Sequence, residues 1–384
     1  TFRGHVVNTG HGRATGFYMV PKFPRGGFRT RRVSGPIGAG NSVILEVGGG
    51  GIWGECDHDI PADMAGQPLN VLGSWISDQT LPMDPIPSAI ASGISNIVAA
   101  GSVTTGSATG SFSVSNPKVI AFDSKGDAWI TALNPDRLVE LSPNGQTIGS
   151  FSAGVFPNGI VVDASDNVWV TNYTPNTLTE LSSSGTILKT ISLPFSRPAI
   201  IAKDLLGNFL ISYDGSGNWI TKVSPSGQIL ANFLSGSGPY GLAVDQGNNI
   251  WVTNRSDNTI WKMSPSGARI FSVGVGSTPY GVVVDPAGDA WVTNYLSNSV
   301  SKISNSGSYL GTFSVGAQPW LLAVSPQGNI WIPNSGGSSV MELSPSGTLL
   351  KVIPANNPIA VAIDPAGNPW YTDYAAASVV KLAP

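Results

Sequence analysis

The segment Glu55-Cys56-Asp57-His58-Asp59 compresses a thiol, an imidazole and three carboxylates into five residues. Along an extended strand, alternation puts Glu55, Asp57 and Asp59 on one side and Cys56 and His58 on the other. A joint site therefore needs a turn, which the glycines at 48–51 would permit. No second cluster at metal-ligand spacing accompanies it, so the segment reads as a polar loop and no metal or other cofactor is assigned. Cys56 is the only cysteine, which excludes an intrachain disulfide and a CxxC metal site. His5, His11 and His58 are the only histidines, and from residue 110 onward the only glutamates are Glu140, Glu180 and Glu342. General acid–base chemistry built on His and Glu thus has few candidates in most of the chain.

Aspartates recur at Asp123, Asp163, Asp204, Asp245, Asp285 and Asp364. Calcium loops of the EF-hand type end on a bidentate acid at the twelfth position. The residue eleven beyond Asp245 is Ser256. These aspartates are therefore expected to close turns by accepting backbone N–H groups.

The recurrence belongs to a larger one. Prolines at 117, 157, 198, 239, 279, 319 and 358 open seven copies of one phrase, as in PYGLAVDQGNNIWVTN and PYGVVVDPAGDAWVTN. An aromatic follows each proline by eleven or twelve residues: Trp129, Trp169, Phe209, Trp251, Trp291, Trp331 and Trp370. Within a copy the apolar pattern has period two or forms short runs, which predicts strands. The SPSG segments at 224–227, 264–267 and 344–347 predict hairpins, Pro presetting φ and Gly supplying the left-handed position. Four short antiparallel strands every ~40 residues describe a β-propeller blade. The seventh copy ends after its third strand, while GSFSV at 110–114 resembles GTFSV at 311–315. The expected fold is all-β, a seven-bladed propeller of four-stranded antiparallel blades over 110–384, closed by the strand at 110–114 completing the last blade.

In such a blade the start of the first strand and the end of the second lie on the same face, around the mouth of the central channel. That rim collects aromatics and amides: Tyr173, Tyr213, Tyr240, Asn254, Arg255, Tyr280, Asn294, Tyr295, Trp320, Asn334 and Tyr374. Apolar faces for stacking and amides for orientation suit a glycan, a peptide or a flat amphipathic ligand. The alternative is that the tyrosines fill gaps between blades and the asparagines close turns.

The repeated phrase P-x-G-[IVL]-x-V-D-x-x-G-[ND]-x-W-V-T-N, followed by N-x-[IV]-x-K-[ILM]-S-P-S-G, resembles the NHL and virginiamycin B lyase-like bacterial propellers over residues 110–384. The resemblance implies a test for enzymatic activity. In the lyase branch, His and Glu side chains on this face open a cyclic peptide lactone with the help of Mg²⁺. No histidine lies in the propeller, its three glutamates sit in x-E-L-S third strands, and an amide cannot take a proton at neutral pH. No catalytic residue carries over. The expected function is a non-catalytic binding or assembly scaffold, extracellular or at the cell surface, the location resting on composition and the resemblance. The alternative is a lyase-like enzyme opening a cyclic ester with non-standard residues.

Residues 1–85 differ in kind and read as an arm of unknown fold. Six of the ten arginines precede residue 33, four of them in PRGGFRTRR at 24–32, yet the seven basic residues of 1–109 are balanced by seven acidic ones. With a net charge of −3, nucleic acid is not an expected partner. No apolar run is long enough to span a membrane. PSAIASGISNIVAAG at 87–101 has helical periodicity, Ser88 as N-cap and Gly101 as stop, which predicts a short amphipathic helix within a helix-and-linker segment, 86–109. The arm is the expected contact element for a homo-oligomer or filament, by strand addition between subunits.

Overall fold

The computed structural model describes residues 106–384 apart from Ser216, together with the backbone of four strands in 1–105. Two compact units divide at Val103/Thr104. In the first, Phe28–Arg29, Ser42–Gly49, Phe2–Val7 and Val71–Leu72 form one sheet in that order. Phe2–Val7 pairs antiparallel with Ser42–Gly49, from Phe2 opposite Val47 to Val7 opposite Ser42. The segment Glu55–Asp59 and the helix expected at 87–101 lie outside the described residues.

The second unit is a seven-bladed β-propeller of four-stranded antiparallel sheets. Blades 1 to 6 occupy residues 117–151, 157–192, 198–234, 239–274, 279–314 and 319–354. In blade 7 the strands Pro358–Ile363, Pro369–Asp373 and Ser378–Leu382 are completed by Ala108–Ser113 from the other end of the chain. Val379 lies opposite Phe112, and Lys381 opposite Gly110.

Second strands are buried along their whole length, whereas fourth strands alternate exposed and half-buried residues. Burial falls from the inside of each blade outward, as the hydrophobic pattern requires. The second-strand tryptophans are the largest fully buried side chains, each at 0–1% exposure. Successive blades interlock through the hairpin glycines. At Gly145, Gly185, Gly267 and Gly347 φ lies between +78° and +86°, and a Cβ would fall within 2.0 Å of a phenylalanine ring on the preceding blade. Those positions need glycine twice over, for the left-handed backbone and for the ring packed on it.

Blade 3 departs from the repeat. Pro198 pairs with Tyr213 as Pro157 pairs with Asn172. Leu210 therefore occupies the position of Trp169, and Phe209 falls one residue short of the tryptophan position. A one-residue offset sends a side chain to the opposite face of a sheet. Phe209 accordingly packs on Trp169 of blade 2, with ring centroids 4.2 Å apart.

Candidate functional site at the propeller mouth

The second-strand threonine holds the mouth together. In blade 4 the Thr253 hydroxyl accepts from Gly241 N–H at 2.8 Å in its own blade and donates to Tyr280 C=O of blade 5 at 2.7 Å. Thr293 repeats the pattern with Gly281 N–H and Trp320 C=O, and Thr171 with Gly159 N–H and Ala199 C=O. Thr372 carries it across the closure to Lys118 C=O at 2.8 Å. A Cβ on Gly241 or Gly281 would lie 2.2 or 2.7 Å from the carbonyl oxygen of the next blade. The glycine of P-Y-G admits this approach, and the hydroxyl then fixes the backbone of the neighbouring mouth residue. Blade 6 has Pro333 where the others have Thr or Ser, and backbone bonds Leu321 N–H to Ile359 C=O and Val361 N–H to Leu321 C=O join it to blade 7.

On this frame the aromatic residues of blades 4 to 6 form one cluster. Tyr280 is central, with ring centroids 4.8 Å from Tyr240, 5.1 Å from Tyr295 and 5.2 Å from Trp320. The Arg255 guanidinium lies over the Tyr240 and Tyr280 rings at 4.6 and 5.1 Å, and donates to the Tyr280 hydroxyl at 3.1 Å. Its other end forms an ion pair with Asp214, whose second oxygen accepts from the Tyr173 hydroxyl at 3.3 Å. Burial would lower the Arg255 pKa, but Asp214 and Tyr280 outweigh it and raise the value. The tyrosines shift upward: Tyr240 and Tyr173 by burial and then the Asp214 charge, Tyr295 by burial and then Tyr280. Across the mouth, Lys118 donates to Asn158 Oδ1 at 2.8 Å and lies over the Phe156 ring. Burial pushes its ammonium down to about 8, against the opposing pull of Asp214.

Four of the sequence-predicted residues face elsewhere. Asn254, Asn294 and Asn334 are wholly buried. Their Nδ2 groups donate to Thr259, to Ser299 and Ser301, and to Ser339 in the third strands. Backbone packs directly over them, since a Cβ on Gly236, Gly276 or Gly316 would meet them within 2.7 Å. Tyr213 occupies the same inward position in blade 3, where its hydroxyl donates to Thr221 and its ring packs on Phe195. Taking Ser212-Tyr213 as the strand end is thus one residue early. Asp214 is the mouth residue there, equivalent to Tyr173, Arg255 and Tyr295, and sequence reasoning missed it. Counting sixteen residues from each proline would have found it. Tyr374 holds the equivalent half-buried position in blade 7, outside the aromatic cluster.

The Mg²⁺ implied by the family resemblance would need carboxylates at this mouth. Asp214 is engaged by Arg255 and Tyr173, and Asp373 accepts from the backbone N–H groups of Asn356, Asn357 and Ala376. The described mouth residues do not fit the ion, and no step through it is derived.

No curated protein sequence matches this one significantly. Among solved structures, a streptogramin B lyase superposes with a TM-score of 0.65 at 18% identity, covering 71% of this chain and 96% of its own. Virginiamycin B lyase from Staphylococcus aureus gives 0.65 at 19% identity, covering 72% and 98%. Hydrazine synthase from Kuenenia stuttgartiensis gives 0.65 at 13%, covering 74% and 98%, so a lyase and an unrelated enzyme share this fold equally well. Residues 88–337, more than half of the chain, match the virginiamycin B lyase family, and the chain belongs to that family.

Proposed function

We propose that the propeller is a binding module whose mouth takes a planar or amphipathic ligand, a glycan or a peptide, and that it does not run the lyase reaction. The observation that carries this reading is the continuous surface of Tyr280, Tyr295 and Trp320 with Arg255 held over Tyr240 and Tyr280. Rings supply faces for stacking, and the arginine supplies oriented donors. Against catalysis, Glu140, Glu180 and Glu342 are buried in third strands, and each lies beside its second-strand tryptophan near the end of the blade remote from the mouth.

The test is glycan- and peptide-array binding by the full chain and by a Tyr280→Ala/Trp320→Ala variant whose fold is checked by circular dichroism. A ligand whose signal falls at least tenfold in the folded variant supports the reading. Equal profiles from the two proteins overturn it.

Lys118 supports a second reading, in which the family's lyase chemistry persists on a different base. An amine brought down to about 8 could take a proton from carbon while the ester C–O bond breaks. A catalytically inactive histidine-to-alanine variant of the Staphylococcus aureus enzyme has been solved with quinupristin, which makes that compound the natural probe. Turnover that is lost in Lys118→Met would favour this reading over the first.

A further inference from the structure

At the foot of the blades, opposite the mouth, the turn aspartate (Ser325 in blade 6) meets the second-strand tryptophan (Leu210 in blade 3) and one residue of the third strand. Six blades neutralise this acidic corner with a lysine. In blades 3, 4, 5 and 7 it comes from the third strand, where Lys222, Lys262, Lys302 and Lys381 pair with Asp204, Asp245, Asp285 and Asp364 at 2.8 to 3.3 Å. In blades 2 and 6 a glutamate stands there, and a fourth-strand lysine answers it: Lys189 with Glu180 at 2.7 Å and Lys351 with Glu342 at 3.2 Å. An asparagine also donates to each of these glutamates, Asn167 to Glu180 and Asn329 to Glu342. In five of the six blades the ammonium lies 4.9 to 5.2 Å from the centre of the tryptophan ring.

Blade 1 has the acids and lacks the lysine. Glu140 faces Gly149 on the fourth strand, where Glu180 faces Lys189. Asp127 replaces the donating asparagine. Carboxylate oxygens of Asp123, Asp127 and Glu140 lie within 4.8 Å of one another, and the three residues are 3%, 9% and 5% exposed. Asp123 is anchored by the N–H groups of Lys125 and Asp127. Among the described residues no donor or ammonium reaches the Glu140 carboxylate, and Lys125, in the adjoining turn, is exposed and forms no ion pair. An unpartnered buried glutamate directed at two further carboxylates is an incomplete arrangement.

We propose that the foot of blade 1 binds a hard divalent cation, with calcium as the probe, in the place where the other six blades carry a lysine ammonium. The donors are all oxygen and their formal charge is −3, which is the ligand chemistry such a cation takes.

The experiment uses the full chain stripped with EDTA. Adding calcium is expected to raise the thermal midpoint by about 3–5 °C at saturation, and terbium in its place should give luminescence sensitised by Trp129. Glu140→Lys, which supplies the third-strand lysine of blades 3, 4, 5 and 7, should raise the metal-free midpoint and abolish both responses. Should it fold poorly, Asp127→Asn, which restores the residue of five other blades, should weaken calcium binding at least tenfold. The proposal is overturned if neither cation moves the wild-type midpoint, or if the variants respond as the wild type does.

Discussion

The two ends of the propeller follow different rules. At the foot, the blades present nearly the same set, a turn aspartate (Ser325 in blade 6), an aromatic or aliphatic platform and a lysine, and the one blade without the lysine is the one with an unmet charge. At the mouth, equivalent positions carry Leu133, Tyr173, Asp214, Arg255, Tyr295, Ser335 and Tyr374, so beside three tyrosines stand an aliphatic, an acid, a base and a hydroxyl. Architecture is written by what recurs, because every blade solves the same packing problem. Binding chemistry is sought where the recurrence fails.

This contrast can be broken most severely at the foot. Asp245→Ala removes the acceptor for two backbone N–H groups and for Trp251 Nε1, and leaves the buried Lys262 unpaired. A loss of about 3–5 kcal/mol is expected in urea unfolding, with no effect on ligand affinity at the mouth once the protein is folded. Gly347→Ala forces a side chain onto φ +85° and a Cβ to within 1.9 Å of the Phe313 ring. It should cost about 2–4 kcal/mol by the same measurement.

Adjacent residues of blade 5 sharpen the comparison. Asn294→Ala deletes two buried hydrogen bonds and should cost about 1–2 kcal/mol of stability with array binding unchanged. Tyr295→Ala should do the reverse, costing less than about 1 kcal/mol while weakening ligand binding roughly tenfold. A separate handle on the mouth is the pH dependence of Lys118. Burial holds its folded pKa near 8, below the 10.5 of the exposed amine, so the folded state binds fewer protons between those values. Wild-type stability should therefore rise, relative to Lys118→Met, as pH climbs from about 8 to 10.5. Unfolding midpoints of both proteins at pH 7 and pH 10 measure the difference.

The blade count and the hairpin turns were legible because each depends on residues close together in the chain. The aspartate turns were legible for the same reason, and Asp245 Oδ1 does accept from Gly247 and Asn249 N–H. The offset of blade 3 was not, since Phe209 satisfies an aromatic pattern while facing the wrong side of the strand. The pairing of Asp214 with Arg255 joins residues 41 apart in neighbouring blades and becomes visible only when the ring is assembled. The inward turn of Asn254, Asn294 and Asn334 follows from the same proline pairing that places their neighbours at the mouth. Blade 1's missing lysine stands in plain view in the sequence. Its meaning depends on knowing that Glu140 faces a glycine where Glu180 faces Lys189.

The fastening of blade 7 has a consequence in time. Thr109 donates to the carbonyl of Lys381, 272 residues downstream. At a synthesis rate of about 5–20 residues per second, the early strand waits roughly 15–50 s for its partner to leave the ribosome. Throughout that interval six blades can form while Phe112 lacks Trp370, the ring it will pack against, and the first blade offers an unmatched face to whatever is nearby. The ring is thus a clasp whose two halves are made at opposite ends of the propeller's synthesis.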